Sequence, residues 1–151
     1  MLKGGIKMAL ATEISEAQWE IMRLLWSFKQ ATSSQIHEQL QVKCNWKIAT
    51  TKTLLHRLVE KNFVGVKKSG RAYLYYPLIS EHTATTQLLE NDLAKICQKC
   101  RGQVLIEALN DLPLTRDDIT HLQALLDKKK QTAPEKLACN CLPDICRCQP
   151  K

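Results

Sequence analysis

Two β-rich runs around a Gly-containing turn follow directly on three helical segments, and this order leaves few folds open to the N-terminal half of the chain. The runs, Phe63–Val66 and Ala72–Pro77, predict a β-hairpin. Lys67, Lys68 and Arg71 lie between them and give the predicted hairpin a basic tip. Three helices and a basic-tipped hairpin predict a winged helix-turn-helix. In that fold the third helix enters the DNA major groove, and the wing contacts adjacent backbone or the minor groove.

Capping signals predict where the first two helices begin. Ser15 with Gln18, and Thr32 with Gln35, have the spacing of a capping box, in which two side chains and two backbone N–H groups bond reciprocally. The first of these helices is predicted to run to about Phe28, because its apolar residues recur at helical spacing.

The third helix, predicted over about residues 47–61, has two different faces. Leu54, Leu55 and Leu58 fall on an apolar side at about 100° per residue. The opposite side is polar or small, with Lys52 at its edge, and consists of Ala49, Thr50, Thr53, His56, Arg57 and Glu60. Most polar helix faces are simply solvated. This one is third in a helical series and lies inside a basic stretch, which favours DNA contact.

The net charge is concentrated in one stretch. Between Lys43 and Arg71 eight residues are basic and only Glu60 is acidic, so these residues account for the whole formal net charge of +7. A polyanion is the natural partner of such a stretch. No run approaches the roughly 20 apolar residues of a membrane span, and the N-terminus lacks the apolar core of a signal peptide. We therefore expect a cytoplasmic protein without a membrane partner.

Residues 80–130 predict a second helical region. Apolar residues recur at helical spacing, with a break expected near Gly102 because glycine weakens a helix. Thr115 with Asp118 signals a last helix over about residues 116–130. These helices have more apolar surface than a small winged helix covers, which favours a dimerisation region in a homodimer. The alternative is packing back onto the same subunit.

A Cys-x-Cys-x4-Cys-x-Cys pattern, here called the hook, follows a polar linker within residues 131–151. Residues two apart in an extended segment face the same side, so Cys139 and Cys141 can face one ion, as can Cys146 and Cys148. Four thiolates predict a closed, structural zinc site, and the same soft donors suit Cu(I). Disulfides are disfavoured, because cysteines two apart pair poorly and the cytosol is reducing.

Cys97 and Cys100 form a second, weaker pattern. On a helix the two thiols share one face, and we expect them to lie in the dimer seam as small hydrophobic groups, with a second metal site as the alternative.

Three segments closely resemble the BlaI/MecI family of winged-helix repressors: Glu16–Trp26 (EAQWEIMRLLW), Thr50–Leu58 (TTKTLLHRL) and the wing segment Tyr73–Leu78. The resemblance covers about residues 14–130. The cysteine tail is similar to that of the CopY branch, the copper-responsive repressors of Gram-positive bacteria. The expected fold is therefore mainly α with a small β-hairpin, organised as a winged helix-turn-helix, a helical dimerisation region and a metal hook. The predicted boundaries are 1–79, 80–130 and 131–151.

The resemblance implies a homodimer on an inverted-repeat operator of copper-homeostasis genes. In the branch, Zn(II) in the tail favours the DNA-bound form, and Cu(I) displaces zinc and releases the repressor; a copper chaperone that delivers Cu(I) is a further expected partner. The implied groove contacts are Lys47, Ala49, Thr50, Thr53 and Arg57. The implied wing contacts are Lys67, Lys68 and Arg71, and the implied metal ligands are Cys139, Cys141, Cys146 and Cys148.

Metal is favoured over proteolysis as the signal. The β-lactam-responsive relatives are cleaved at an Asn-Phe bond in their dimerisation region, whereas the one Asn-Phe pair here, Asn62-Phe63, lies at the junction of helix and wing. Two alternatives stay open: a repressor with another inducer and a purely structural zinc tail, and a thiolate metal buffer, which would not need a basic helix and wing. An enzyme is not expected, because four thiolates leave zinc no open position for catalysis.

Overall fold

The computed structural model describes residues 14–142 and residue 148, and these form mainly helices with one small antiparallel sheet, as predicted. The chain divides into two compact units, the first ending at Asn91 and the second beginning at Asp92. Within the described ranges, no helix is both long and apolar enough to cross a membrane. The elements are α1 Glu16–Phe28, β1 Ala31–Thr32, α2 Ser33–Cys44, α3 Ile48–Glu60, β2 Val64–Ser69, β3 Ala72–Pro77, α4 Glu81–Ala94, α5 Arg101–Asp111 and α6 Arg116–Lys130.

All three predicted capping signals are confirmed. At the start of α1 the Gln18 backbone N–H donates to Ser15 Oγ over 3.3 Å, and the Ser15 N–H donates back to Gln18 Oε1 over 3.0 Å. The same reciprocal bonds begin α2 at Thr32 and α6 at Thr115. Hydrogen bonds from Thr115 hold the pKa of Asp118 below its ordinary value, so this cap of α6 weakens when acid protonates the carboxylate.

The sheet has the order β1-β3-β2, so it contains the predicted hairpin of β2 and β3 and one further strand. Strand β2 continues past Val66 to Ser69, which pairs with Ala72, and the tight turn contains Gly70 at a φ of 61°. Lys67 and Lys68 therefore lie in a strand and not in the turn, because their pairing with Leu74 and Tyr73 prolongs the ladder. Strand β1, which was not predicted, is the third strand of the sheet and pairs with β3.

The core of the first unit lies between the three helices and the sheet. Helix α4 also contributes, through the fully buried Ala84. The indole N–H of Trp26, on α1, donates to the carbonyl oxygen of Ile79 over 2.9 Å and holds the segment after β3 against α1. The core side chains are Ile21, Met22, Leu25, Trp26, Ala31, Ile36, Leu40, Leu55, Leu58, Phe63, Val64 and Ala84. Because Leu55 and Leu58 are inside, α3 turns its other face outward.

The helical break in the second region lies earlier than expected. It occupies residues 95–100, whereas Gly102 sits inside the first turn of α5. The Arg101 side chain explains this position: its Nε donates to the carbonyl oxygen of Ile96 over 3.0 Å, and its Nη2 reaches that of Ala94 at 3.5 Å. These bonds satisfy carbonyl groups that have no helical partner where α4 ends.

Candidate nucleic-acid interface and metal centre

Helix α3 presents all five predicted groove residues to solvent. Lys47 is the N-cap of the helix, and the other four lie on the side away from the buried Leu55 and Leu58. These exposed residues are Lys47, Ala49, Thr50, Thr53 and Arg57. The side chains near the N-terminus of α3 are small, so this end of the helix can approach a DNA groove closely. The arginine in the last turn is long, so its guanidinium can extend to a base edge.

The predicted wing residues Lys67, Lys68 and Arg71 are also exposed. The ammonium of Lys67 lies 5.7 Å from the centre of the Tyr76 ring, a distance at which the ring attracts the cation. The Tyr76 ring in turn covers Gly65, its pairing partner on β2. A Cβ atom at Gly65 would be 2.4 Å from Tyr76 Cζ, so glycine is what lets the ring lie in this position.

A concave surface joins α2, α3 and the wing. It encloses about 470 Å³ and brings the side chains of Lys52 and Arg71 to the N-terminus of α2. Its lining consists of Thr32, Ser33, Ser34, Lys52, Arg71, Ala72, Tyr73 and Tyr75. Free backbone N–H groups and the helix dipole attract anions at a helix N-terminus. Two basic side chains at that position give the surface the chemistry of a phosphate contact.

The sequence pattern puts Lys52 only at the edge of the polar face of the third helix, and it indicates no function for Ser33 or Ser34. The capping signal at Thr32 is the one pattern that located this helix N-terminus in advance. The N-terminus of α2 lies beside the wing because strand β1 pairs with β3, Ala31 with Tyr75 and Thr32 with Leu74.

Not all the positive charge of the basic stretch is available to a ligand. Lys43 Nζ lies 2.7 Å from Glu20 Oε2, and this hydrogen bond lowers the pKa of the Glu20 carboxyl. His56 Nε2 lies 3.4 Å from Glu60 Oε1 on the outer side of α3. The charge open to a polyanion is therefore concentrated toward the α3 face and the wing.

In the second unit four cysteines form a cluster, here called the four-thiol cluster. It contains three hook residues, Cys139, Cys141 and Cys148, and also Cys97, and all four Sγ atoms lie within 4.8 Å of one another. Both the Cys97–Cys139 and the Cys141–Cys148 Sγ pairs are 3.5 Å apart. A disulfide requires about 2.05 Å. Tetrahedral zinc with Zn–S bonds of about 2.3 Å spaces its sulfurs about 3.8 Å apart, so this donor set fits zinc.

The structure separates Cys97 from Cys100. Both fall in the break after α4, so the assumption that they share a helix face is wrong. Cys100 is the N-cap of α5 and is not a member of the four-thiol cluster, whereas Cys97 is. Hydrogen bonds from the backbones of Asn140 and Lys99, and from the Cys148 and Cys139 thiols, lower the pKa of Cys97 to about 6. This favours the thiolate that soft metals bind.

The predicted ligand Cys146 lies outside the described residues. The presence of Cys97 in the cluster could not have been read from spacing, because it is separated from Cys139 by 42 positions and no local pattern connects the two.

Residues 14–128 match the penicillinase repressor family. A 16.5 kDa protein encoded in the ptsI 3′ region of Latilactobacillus sakei is 39% identical over 137 residues, which cover 91% of this chain and 94% of that protein. The methicillin resistance regulatory protein MecI of Mammaliicoccus sciuri is 31% identical over 117 residues, covering 78% and 95%. A solved CopR repressor structure is 39% identical, covers 44% of this chain and 97% of its own, and gives a TM-score of 0.40. The resemblance to BlaI and MecI is thereby confirmed, and the chain belongs to the penicillinase repressor family.

Proposed function

We propose that the chain is a copper-responsive transcriptional repressor, which binds operator DNA as a zinc-loaded homodimer and is released by Cu(I). Membership of a repressor family makes it a regulator of transcription and not an enzyme. The observation that carries the copper assignment is the four-thiol cluster, because this repressor has a donor set made only of thiols. Thiolates are the ligands that Cu(I) and Zn(II) prefer over Mg²⁺ or Ca²⁺.

The proposed DNA contacts divide among three surfaces. The exposed face of α3, from Lys47 to Arg57, enters the major groove. The wing residues Lys67, Lys68 and Arg71 contact the backbone or the minor groove beside it. The concave surface at the N-terminus of α2 takes a phosphate with the help of Lys52.

The proposed dimer interface is formed by the last two helices. Along α5 and α6 none of the described residues is buried within a single chain. Both helices have large apolar side chains exposed to solvent, among them Val104, Leu105, Ile106, Leu109, Ile119, Leu125 and Leu126. Exposed apolar surface of this extent marks an interface. A second copy of the chain is the partner that suits an operator with inverted-repeat symmetry.

The proposed metal-binding residues are Cys139, Cys141, Cys146 and Cys148, which between them bind Zn(II) and Cu(I). Zinc bound by these thiols would crosslink the hook. Cu(I) accepts fewer ligands and bridging thiolates, so its binding requires the hook to repack. Cys139 and Cys141 are exposed, which leaves room for a copper chaperone to pass the ion by ligand exchange.

Thermodynamic linkage relates the loss of DNA affinity to the difference in Cu(I) affinity between the DNA-free and DNA-bound states. An ion lowers DNA affinity only if it binds the DNA-free state more tightly than the DNA-bound state, by the same factor. A hundredfold loss of operator affinity therefore requires a difference of about 2.8 kcal/mol in Cu(I) binding between the two states.

The deciding experiment is an anaerobic titration of the zinc-loaded protein on a fluorescent inverted-repeat duplex taken upstream of a copper-export gene. Cu(I) should lower the anisotropy to that of free DNA while zinc appears in a chromophoric chelator, and Zn(II) added in the same amount should not. A shuffled duplex controls for sequence-independent binding. Tight operator binding that ignores Cu(I) would reject copper as the signal and leave the hook a structural role.

The wing offers a milder test through Gly65. In Gly65→Ala the new methyl group displaces the Tyr76 ring, and Lys67 loses its cation–π support. At an exposed site that contact contributes about 0.5–1 kcal/mol, so operator affinity should fall about two- to fivefold in the anisotropy assay. Lys67→Ala is the matched control. If the effect acts through Lys67, adding Gly65→Ala to Lys67→Ala should cause no further loss, and an additive loss would contradict this explanation.

A further inference from the structure

Cys97 does not belong to the hook by sequence, yet it lies among the hook thiols. It stands in the connection between α4 and α5, and its Sγ is 3.5 Å from that of Cys139. It completes a set of four sulfurs with Cys141 and Cys148, every pair being within 4.8 Å. The half-buried Cys97 and Cys148 face the exposed Cys139 and Cys141.

A second, independent set of contacts holds the hook at this place. The Gln98 backbone N–H donates to Asn140 Oδ1 over 3.0 Å, and the Gln98 side-chain Nε2 donates to the carbonyl oxygen of Ala138 over 2.6 Å. Gln98 follows Cys97 directly, and Ala138 and Asn140 are the two neighbours of Cys139. These two hydrogen bonds, here called the Gln98 clasp, therefore fix the register in which the thiols of Cys97 and Cys139 meet.

From this geometry we propose that Cys97 is a ligand of the zinc ion, and that the zinc site consists of Cys97, Cys139, Cys141 and Cys148. The inference rests on the proposed metal function of the hook and alters its zinc ligand set by one residue. Zinc in structural sites takes four ligands, so Cys146 remains as a fifth thiol. Cu(I), whose thiolate sites tolerate bridging sulfurs, has five thiols to draw on.

This ligand set gives the metal a direct connection to the dimerisation helices. A site made only of hook residues would crosslink the tail to itself. A site that includes Cys97 instead crosslinks the tail to the segment from which α5 begins. Cys97 would thus couple a change of the bound ion directly to the segment that precedes α5.

The test measures Zn(II) binding by the full-length protein, in competition with a chromophoric chelator, for three serine variants. Cys97→Ser should weaken zinc binding at least tenfold. Cys100→Ser is the matched control, since it removes a similarly half-buried thiol three positions away that is not in the cluster, and it should bind zinc within about twofold of wild type. Cys146→Ser should also retain wild-type zinc affinity.

Three results would overturn the assignment. Loss of zinc affinity in Cys146→Ser with full affinity in Cys97→Ser would place the whole site in the hook. Full affinity in both would mean that either thiol completes the site. Loss of affinity in Cys100→Ser equal to that in Cys97→Ser would mean that the segment, and not the ligand, had been damaged.

A further variant and spectroscopic measurements distinguish the loss of a zinc ligand from misfolding of the protein. Gln98→Ala removes only the side-chain bond to Ala138 and should weaken zinc binding less than Cys97→Ser does. Far-ultraviolet circular dichroism should be unchanged in every variant. In Co(II)-substituted protein, the thiolate charge-transfer band should drop in Cys97→Ser/Cys146→Ser, where three cluster thiols remain. Wild-type protein that binds no zinc at all would instead reject the proposed function.

Discussion

Arg57→Ala should lower operator affinity by about 10- to 100-fold while leaving the zinc content of the protein unchanged. Arg57 is exposed in the last turn of α3, on the face opposite the buried Leu55. An arginine that bonds a guanine edge in two places contributes about 1–3 kcal/mol of discrimination. The variant removes a side chain that is not part of the core. The measurement is the midpoint of an anisotropy titration at one fixed salt concentration.

The salt dependence of the same titration tells a base contact from a phosphate contact. Loss of a phosphate contact lowers the slope of log affinity against log salt by about 1 and weakens all sequences alike. Loss of a base contact leaves the slope unchanged and reduces the difference in affinity between operator and shuffled DNA.

Arg23→Ala is the matched control for Arg57→Ala, because it removes the same charge from an exposed position on α1 whose nearest acidic partner is Glu20 at 3.8 Å. A comparable loss of operator affinity in Arg23→Ala would mean that net charge alone is responsible. Loss of zinc together with DNA binding in Arg57→Ala would contradict the separation of the two functions.

The sequence was sufficient wherever a local rule decides the outcome. A capping box needs only two side chains three residues apart, and it correctly located the starts of α1, α2 and α6. The two faces of α3 follow from its helical period, and the structure buries Leu55 and Leu58 while exposing Thr53 and Arg57. Both kinds of inference concern interactions within one turn or one face of a helix.

Features created by contacts between distant residues could not be read in advance. Strand β1 has two residues, too few for any periodicity, and it exists because β3 offers it an edge. The break after α4 is stabilised by Arg101, a side chain that lies beyond the break itself. The sequence suggested Gly102 because glycine is a poor helix former, but the first turn of a helix tolerates it.

The four-thiol cluster combines both situations. The spacing of Cys139 and Cys141 indicated that they face one ligand, and the structure places both in the four-thiol cluster. Cys97 joins them through a contact that spans 42 positions and depends on the Gln98 clasp. Local spacing therefore grouped the hook thiols, and only the folded chain added Cys97, which lies in the segment before α5.

Replacing both Cys139 and Cys141 with serine should give a repressor that no longer responds to copper. The double variant removes two of the four clustered thiols, so zinc loses its tetrahedral site, and Cu(I) keeps only three of the five thiols proposed to bind it. Addition of Cu(I) should leave the anisotropy of any protein–operator complex unchanged, where the wild-type complex dissociates. Zinc content after dialysis should fall from the wild-type value to near zero.

The matched control for this double variant is Cys44→Ser/Cys100→Ser, which removes the same number of thiols from half-buried positions that are not part of the four-thiol cluster. It should bind zinc and respond to copper as the wild type does. Copper release that persists in Cys139→Ser/Cys141→Ser would contradict the hook as the sensor, because no described cluster of comparable thiol density would remain to bind the ion. Loss of operator binding before copper is added would instead show that zinc in the hook is required for the DNA-bound dimer, since the α3 face and the wing are untouched by the change.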